Sequence, residues 1–249
     1  MNTSNTPVPS ARRPARQRAY SGQARSYDRD TGLFRSYRQQ VVEALPLDQG
    51  QVVLDVGCGT GLCSGLLRDK VGPRGGVVGI EESPQMAAAA CERIAVEGWR
   101  NVTVVQSPAE DARITQAADA ALFCAVHDIL QSPGALRNVL ARLRPGAWVA
   151  AGGGKWAAPA LWGMNLLIST MHAPYVGSFS GFSRPWHHLE QLVEDVQVRE
   201  MAFGSGYIMT GRVPGPARPV PVTRTQGRQV PRPAARRRPD ARARPLPAG

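Results

Sequence analysis

No stretch of about 18 consecutive apolar residues occurs in this chain, and no apolar segment follows its first charges, so neither a membrane-spanning helix nor a secretory signal is expected. A cytoplasmic location and no membrane partner follow as expectations. Cysteine is scarce. Cys58, Cys63, Cys91 and Cys124 form no C-x-x-C pair, and a disulfide between Cys58 and Cys63 would obstruct the glycine loop they flank, so reduced, packing thiols are expected. Four histidines without a suitable cluster leave no metal site to expect. There is no internal repeat.

Large apolar residues are nearly missing from both ends. Residues 1–26 carry five arginines and no acid, and residues 213–249 carry nine arginines against the single Asp240. Such Pro- and Arg-rich text cannot bury enough surface to offset the entropy of ordering it, so both segments are expected to be disordered extensions. They can be solvated extensions or weak, salt-sensitive polyanion binders. Arg/Pro/Ala-biased text at a C-terminus also arises when a GC-rich gene is read in a shifted frame. The chain's net charge of +11 sits in these ends, and residues 27–212 keep a net charge of −2. That stretch lacks the basic stripe of a nucleic-acid reader, so nucleic acid is a possible partner through the ends alone.

What is present from residue 52 onward is an alternation of short β-rich runs with helical text, the pattern of βαβ units around a parallel sheet. Strands are expected over 52–56, 76–80, 102–105, 120–123 and 148–151. Helices are expected over 62–70, 84–97 and 133–143, the last stopping at Arg144-Pro145-Gly146. An aromatic-rich stretch, 155–186, contains a hydrophobic helix near 158–170, and a further helix is expected near 185–193. Two apolar alternations, 196–203 and 206–212, separated by Gly204-Ser205-Gly206, read as a closing β-hairpin.

A glycine-rich turn after a first strand lets backbone approach a ligand and presents helix N-terminal N–H groups to it. Here the turn reads Asp55-Val56-Gly57-Cys58-Gly59-Thr60-Gly61, with glycine at every second position. The dinucleotide fingerprint needs G-x-G-x-x-G, and Leu62 stands where its third glycine would fall, which disfavours a dehydrogenase. Twenty residues past Gly61, Glu81 ends the second strand, where a carboxylate can accept two hydrogen bonds from ribose hydroxyls. By itself Glu81 reads as an acid favoured by the dipole of the helix opening at Ser83-Pro84, and the preceding glycine loop is what favours ribose binding.

Taken in order, Leu54-Asp55-Val56-Gly57-Cys58-Gly59-Thr60-Gly61, Gly79-Ile80-Glu81-Glu82-Ser83-Pro84-Gln85-Met86, Asp119-Ala120-Ala121-Leu122 and Leu143-Arg144-Pro145-Gly146 resemble the successive signature motifs of class I methyltransferases that use S-adenosylmethionine (SAM). The resemblance covers about 27–212. It implies an α/β fold, a three-layer Rossmann-like sandwich whose seven-stranded, mostly parallel sheet has an antiparallel last strand. It implies SAM as cofactor, with Gly57, Cys58, Gly59 and Gly61 along its methionine and ribose parts and Asp55 near its amino end. Glu81 would take the ribose hydroxyls and Glu82 and Met86 would lie along adenine. Cys124 and Ala125 would close over the methionine moiety, and Tyr27, if not a simple packing aromatic, would cover the cofactor. Many family members read Gly-Asp-Ala after the third strand. This chain has Ser107-Pro108-Ala109-Glu110 instead, so the adenine contacts fall to the Ala109 N–H and to Glu110 or the Ser107 hydroxyl.

Methyl transfer from a sulfonium needs alignment more than acid–base groups, with a base where the nucleophile must lose a proton. His127-Asp128 follows the fourth strand at the ligand-binding edge of the sheet, so His127 is the candidate catalytic base for a hydroxyl or amine acceptor, the alternative being that either residue packs or caps the next helix. The adjacent His187 and His188 read as a solvated helix start. Trp156, Trp162, Phe179, Phe182 and Trp186, with Met164 and Met171, suggest apolar walls for a small-molecule acceptor, or else a helix packed on the sheet. No Asn/Asp-Pro-Pro-Tyr or Pro-Cys text marks a DNA methyltransferase. The alternatives are an RNA or protein methyltransferase using the basic ends, and a SAM- or nucleotide-binding protein without turnover. Oligomeric state leaves no signature in the sequence.

Overall fold

In the computed structural model, residues 28–29 and 31–215 are described. The N-terminal extension, Tyr27 and all but the first three residues of the C-terminal extension lie outside them. The strands are β1 (Val52–Val56), β2 (Gly76–Glu81), β3 (Val102–Gln106), β4 (Ala118–Cys124), β5 (Leu143–Gly154), β6 (Glu194–Met201) and β7 (Gly206–Arg212). The helices are α1 (Arg35–Glu43), α2 (Leu62–Val71), α3 (Pro84–Val96), α4 (His127–Leu130), α5 (Pro133–Leu140), α6 (Trp162–His172) and α7 (His187–Glu190).

The strands form one seven-stranded sheet in the order β3-β2-β1-β4-β5-β7-β6. All neighbours from β3 to β5 are parallel, and β7 runs antiparallel to both β5 and β6. The Rossmann-like sandwich and its antiparallel last strand are as the motif series implies. Strand alternation sends side chains to both faces. Val53, Ala120, Leu122 and Ala150 join Val41, Leu45 and Leu67 of the α1 and α2 side, while Leu54, Val56, Ala121, Phe123 and Val149 join Leu130, Leu136 and Leu189 of α4, α5 and α7. Two cores thus clamp the central strands and fix the sheet edge on which the site is built.

Local chemistry sets the helix starts. Ser83 and Ser132 each cap a helix whose first residue is proline, accepting from Met86 N at 3.4 Å and Ala135 N at 3.3 Å. One boundary departs from the sequence reading: α5 ends at Leu140, and Arg144-Pro145-Gly146 lies within β5. The ladder passes from Ala118↔Leu143 to Ala120↔Trp148, so residues 144–147 bulge opposite Asp119 alone. The bulge accommodates a proline without an N–H, and Gly146 takes φ +78°. Asp119 stabilises it by accepting from Arg144 and from Val52 N.

Candidate functional site

β1 lies between β2 and β4, the point where strand order reverses and where open α/β sheets bind ligands beyond the carboxyl ends of their strands. There the chain turns through Gly57, Gly59 and Gly61 with φ of +69°, +57° and +81°. Gly57 N and Cys58 N both donate to Ile80 O, at 2.8 and 3.1 Å, tying the loop to β2. Gly61 starts α2 without a side-chain cap of its own, which leaves the first N–H groups of the helix to other partners.

Glu81 joins the two loops. Its Oε2 accepts from Gly59 N at 2.9 Å and its Oε1 from Ser83 N at 2.7 Å. Each oxygen retains a lone pair, so the carboxylate can still take two hydroxyls. Burial pushes its pKa up, against the pull of the backbone N–H groups of Ser83, Gly59 and Glu82. A Cβ built on Gly59 meets no protein atom within 4 Å and would stand in the open cavity, whereas one on Gly57 would meet Val126 Cγ1 at 2.5 Å. The Gly59 cradle and the Glu81 carboxylate are features that the ribose and methionine parts of SAM fit.

The cavity at this edge has a volume of about 600 Å³. Of the residues expected at the site, it brings together Gly57, Gly59, Glu81, Glu82, Met86, Ala109, Glu110, Cys124, Ala125 and His127. Ala125 is held at φ +58°, a strained value for a residue with a Cβ, by its N–H bond to Gly152 O at 2.7 Å. Of the residues expected near adenine, Glu110 accepts at Oε2 from Ser132 Oγ at 3.1 Å, and Ala109 O accepts from Asn138 Nδ2 at 2.8 Å. The Ser107 hydroxyl donates to Pro108 O at 3.1 Å.

Three expected residues stand off the cavity wall. The Cys58 thiol packs at Gly79, where an added Cβ would lie 2.7 Å from its sulfur, and burial pushes its pKa up, so its side chain serves packing. Gly61 backs onto Ala90 and Arg93 of α3. Asp55 is 1% exposed behind the loop, where it accepts from Ser64 Oγ at 2.7 Å. Burial raises its pKa to about 6, against the Ser64 bond. Folding therefore favours its protonated form, and that contribution, complete below the unfolded value near 3.9, is lost as pH rises through about 6. In urea titrations of the ligand-free protein, Asp55→Asn should remove this slope and gain up to about 2–3 kcal/mol over wild type at pH 7.5. Parallel pH profiles for the two proteins would refute it.

His127 borders the cavity at the start of α4, but neither ring nitrogen is placed to serve as a base. Nε2–H donates to Ser180 O at 3.0 Å, and Nδ1 is buried without a hydrogen-bond partner among the described residues. Burial holds its pKa below the usual value. The ring also meets Phe182 edge-on at 5.0 Å, and the geometry is that of a group fixing the segment around Ser180. Asp128 is not the α4 cap, a position held by Val126. Its Oδ2 accepts from Gly177 N at 3.1 Å, and Gln131 Nε2 donates to Pro185 O at 2.9 Å. Successive positions after β4 thus hold one strap, 177–185, beside the cavity.

The expected aromatic walls are corrected. Trp156, Phe179 and Phe182 pack on one another with centroids 5.0–5.1 Å apart, Trp186 is buried against Tyr207, and Trp162 is 75% exposed. The cavity is bordered on that side by Tyr175, Ser178 and Ser180 instead. His188, read from sequence as a solvated start, also reaches the wall. A contact with no sequence signal of its own secures the glycine loop. Asp28 accepts from Thr60 Oγ1 at 2.6 Å and pairs with Arg93, whose Nε donates to Thr60 O at 2.8 Å.

Among the described residues no helix is long and apolar enough to cross a membrane, and no group of three or more His, Cys, Asp or Glu is placed to hold a metal.

Residues 53–146 match the family model described as "Methyltransferase domain". A protein-L-isoaspartate O-methyltransferase of Ignicoccus hospitalis is 43% identical over 65 residues, covering 26% of this chain and 31% of that protein. Aklanonic acid methyltransferase DauC of Streptomyces sp. strain C5 is 32% identical over 93 residues, covering 37% and 42%. The matched regions span about a third to two fifths of these curated relatives. In structure, a SAM-dependent methyltransferase from Aquifex aeolicus superposes with a TM-score of 0.54 at 18% identity, covering 78% of this chain and 98% of that one.

Proposed function

We propose that this chain, which carries a class I SAM-dependent methyltransferase domain, transfers the methyl group of SAM to a small-molecule acceptor bound between the glycine loop and the strap at 177–185. The observation that supports this reading most is the single cavity running from Gly59 and Glu81 to Ser178 and Ser180. Its volume lies inside the range of about 300–1,000 Å³ typical of small-molecule sites. SAM, when bound, supplies an electrophilic methyl group on a sulfonium. The chain's own residues do the rest by positioning. Glu81 accepts the ribose hydroxyls, the Gly57–Gly61 backbone cradles the methionine part, and Ala109 N–H and Glu110 face the purine. The strap, held by His127, Asp128 and Gln131, limits water and orients the acceptor, so alignment supplies most of the catalysis.

The test is transfer of labelled methyl from SAM in the presence of a small-molecule library, of RNA and of protein. Label in a small molecule with matching S-adenosylhomocysteine (SAH) is the expected result. Label confined to RNA or to protein would overturn the acceptor class, and failure to bind SAM would overturn the whole reading.

A further inference from the structure

Three of the five residues from Gly57 to Gly61 are glycines at positive φ, so this loop has little stiffness of its own. Its shape is set by what grips it. β2 holds one part, where Gly57 N and Cys58 N donate to Ile80 O and Gly59 N donates to Glu81. The remaining grip is on Thr60, which is buried. Thr60 Oγ1 donates to Asp28 Oδ1 at 2.6 Å, and Thr60 O accepts from Arg93 Nε at 2.8 Å. Arg93 Nη2 closes the ring by pairing with Asp28 Oδ2.

The ring needs these residue types. A guanidinium carries several N–H donors in one rigid plane, so Arg93 alone serves Thr60 O and Asp28 together, while the second oxygen of Asp28 takes the Thr60 hydroxyl. The stem of Arg93 leans on the loop as well, since a Cβ on Gly61 would lie 3.7 Å from its Cδ. Asp28 comes from the segment ahead of α1 and Arg93 from the last turn of α3, so the ring joins three separate parts of the chain at the loop. With side chains 41% and 27% exposed, the Asp28–Arg93 pair adds little to folding stability. It has a different use at this position. Ordering a glycine loop when the ligand arrives subtracts from affinity, and a loop ordered beforehand avoids that loss.

We infer that Asp28 and Arg93 are positioning residues for the cofactor, a latch that presets the Gly57–Gly61 backbone in the conformation that takes SAM. This rests on the methyltransferase reading above. Asp28, Thr60 and Arg93 do not border the cavity, so the effect of the latch on binding passes through the Thr60 backbone to Gly59 and Gly61 on either side of it. SAM affinity therefore depends on a residue ahead of α1 that does not touch the site.

The test uses the full chain and reads SAM affinity by calorimetry and backbone amide exchange in the ligand-free protein. Asp28→Ala and Arg93→Ala should each weaken SAM binding about tenfold, and the double variant by no more than about twofold beyond either, because the two act as one unit. Arg93→Lys keeps the charge but not the planar fork, and should weaken binding nearly as much as alanine does. In ligand-free Asp28→Ala, the amides of Gly59 and Gly61, which bond Glu81 and Cys58 O, should exchange about tenfold faster while those of β1 and β4 keep wild-type rates. Wild-type affinity in both alanine variants, full affinity in Arg93→Lys, or acceleration spread evenly over loop and strands, as general destabilisation gives, would each overturn the inference. If wild type binds no SAM while the loop amides still respond to Asp28→Ala, the failure is that of the methyltransferase reading itself.

Discussion

Glu81→Ala is expected to weaken SAM binding by about a hundredfold, roughly 3 kcal/mol, with Glu81→Gln intermediate. On the proposed binding mode, two charge-assisted bonds to the ribose hydroxyls would be lost at once. The alanine also releases Gly59 N and Ser83 N, which the carboxylate holds at 2.9 and 2.7 Å, so the two loops that shape the site lose their common partner. Folding stability should fall far less than affinity, because the wild-type carboxylate is itself disfavoured by burial, as its raised pKa records. Calorimetric titration alongside thermal melts separates the two effects. Unchanged affinity in the alanine variant would place the ribose elsewhere.

The neighbouring glycines should respond to substitution in opposite ways. A methyl group on Gly57 would lie 2.5 Å from Val126 Cγ1 and 3.0 Å from Ile129 Cδ1, on top of a φ of +69°. Gly57→Ala should therefore cost about 2–4 kcal/mol of stability, through overpacking and backbone strain together. Gly59 has no protein atom near its missing Cβ, so Gly59→Val should cost about 1–2 kcal/mol for its φ of +57°. Its side chain would fill the cradle, and SAM binding should fall below detection while the protein stays folded. Urea denaturation and titration of both variants read the contrast. A Gly59→Val protein that binds SAM normally would show that the cofactor does not use this cradle.

Much of this arrangement was legible in the residues. The five central strands, the loop after β1 and the acid ending β2 are each specified by a local run, because strand alternation, glycine conformation and Ser-Pro capping act within a few positions. The misreadings came where distant partners decide. Arg144-Pro145-Gly146 resembles a helix stop, yet Asp119 and the β4 ladder draw it into a bulge of β5. The aromatics of 155–186 look the same in sequence whether they line a pocket or pack together, and Phe182, 1% exposed, draws Trp156 and Phe179 onto itself. His127 has the residue type and position of a base, but only the fold reveals that Ser180, 53 residues away, takes its Nε2–H and that Nδ1, the nitrogen left to accept a proton, is buried. The Asp28, Thr60 and Arg93 triad spans 65 positions, with no periodicity to announce it.

The insertion of β7 between β5 and β6 also sets an order of events during synthesis. Among the described residues β6 pairs in the sheet with β7 alone, so residues 194–201 cannot dock until residues 206–212 have been made. Until then β5 is the open edge of a parallel sheet that is otherwise ready to close, and its unpaired backbone over 148–154 can template pairing with another nascent chain. The last few residues of the domain therefore act as its seal, converting a partly assembled, association-prone sheet into a finished one in a single late step.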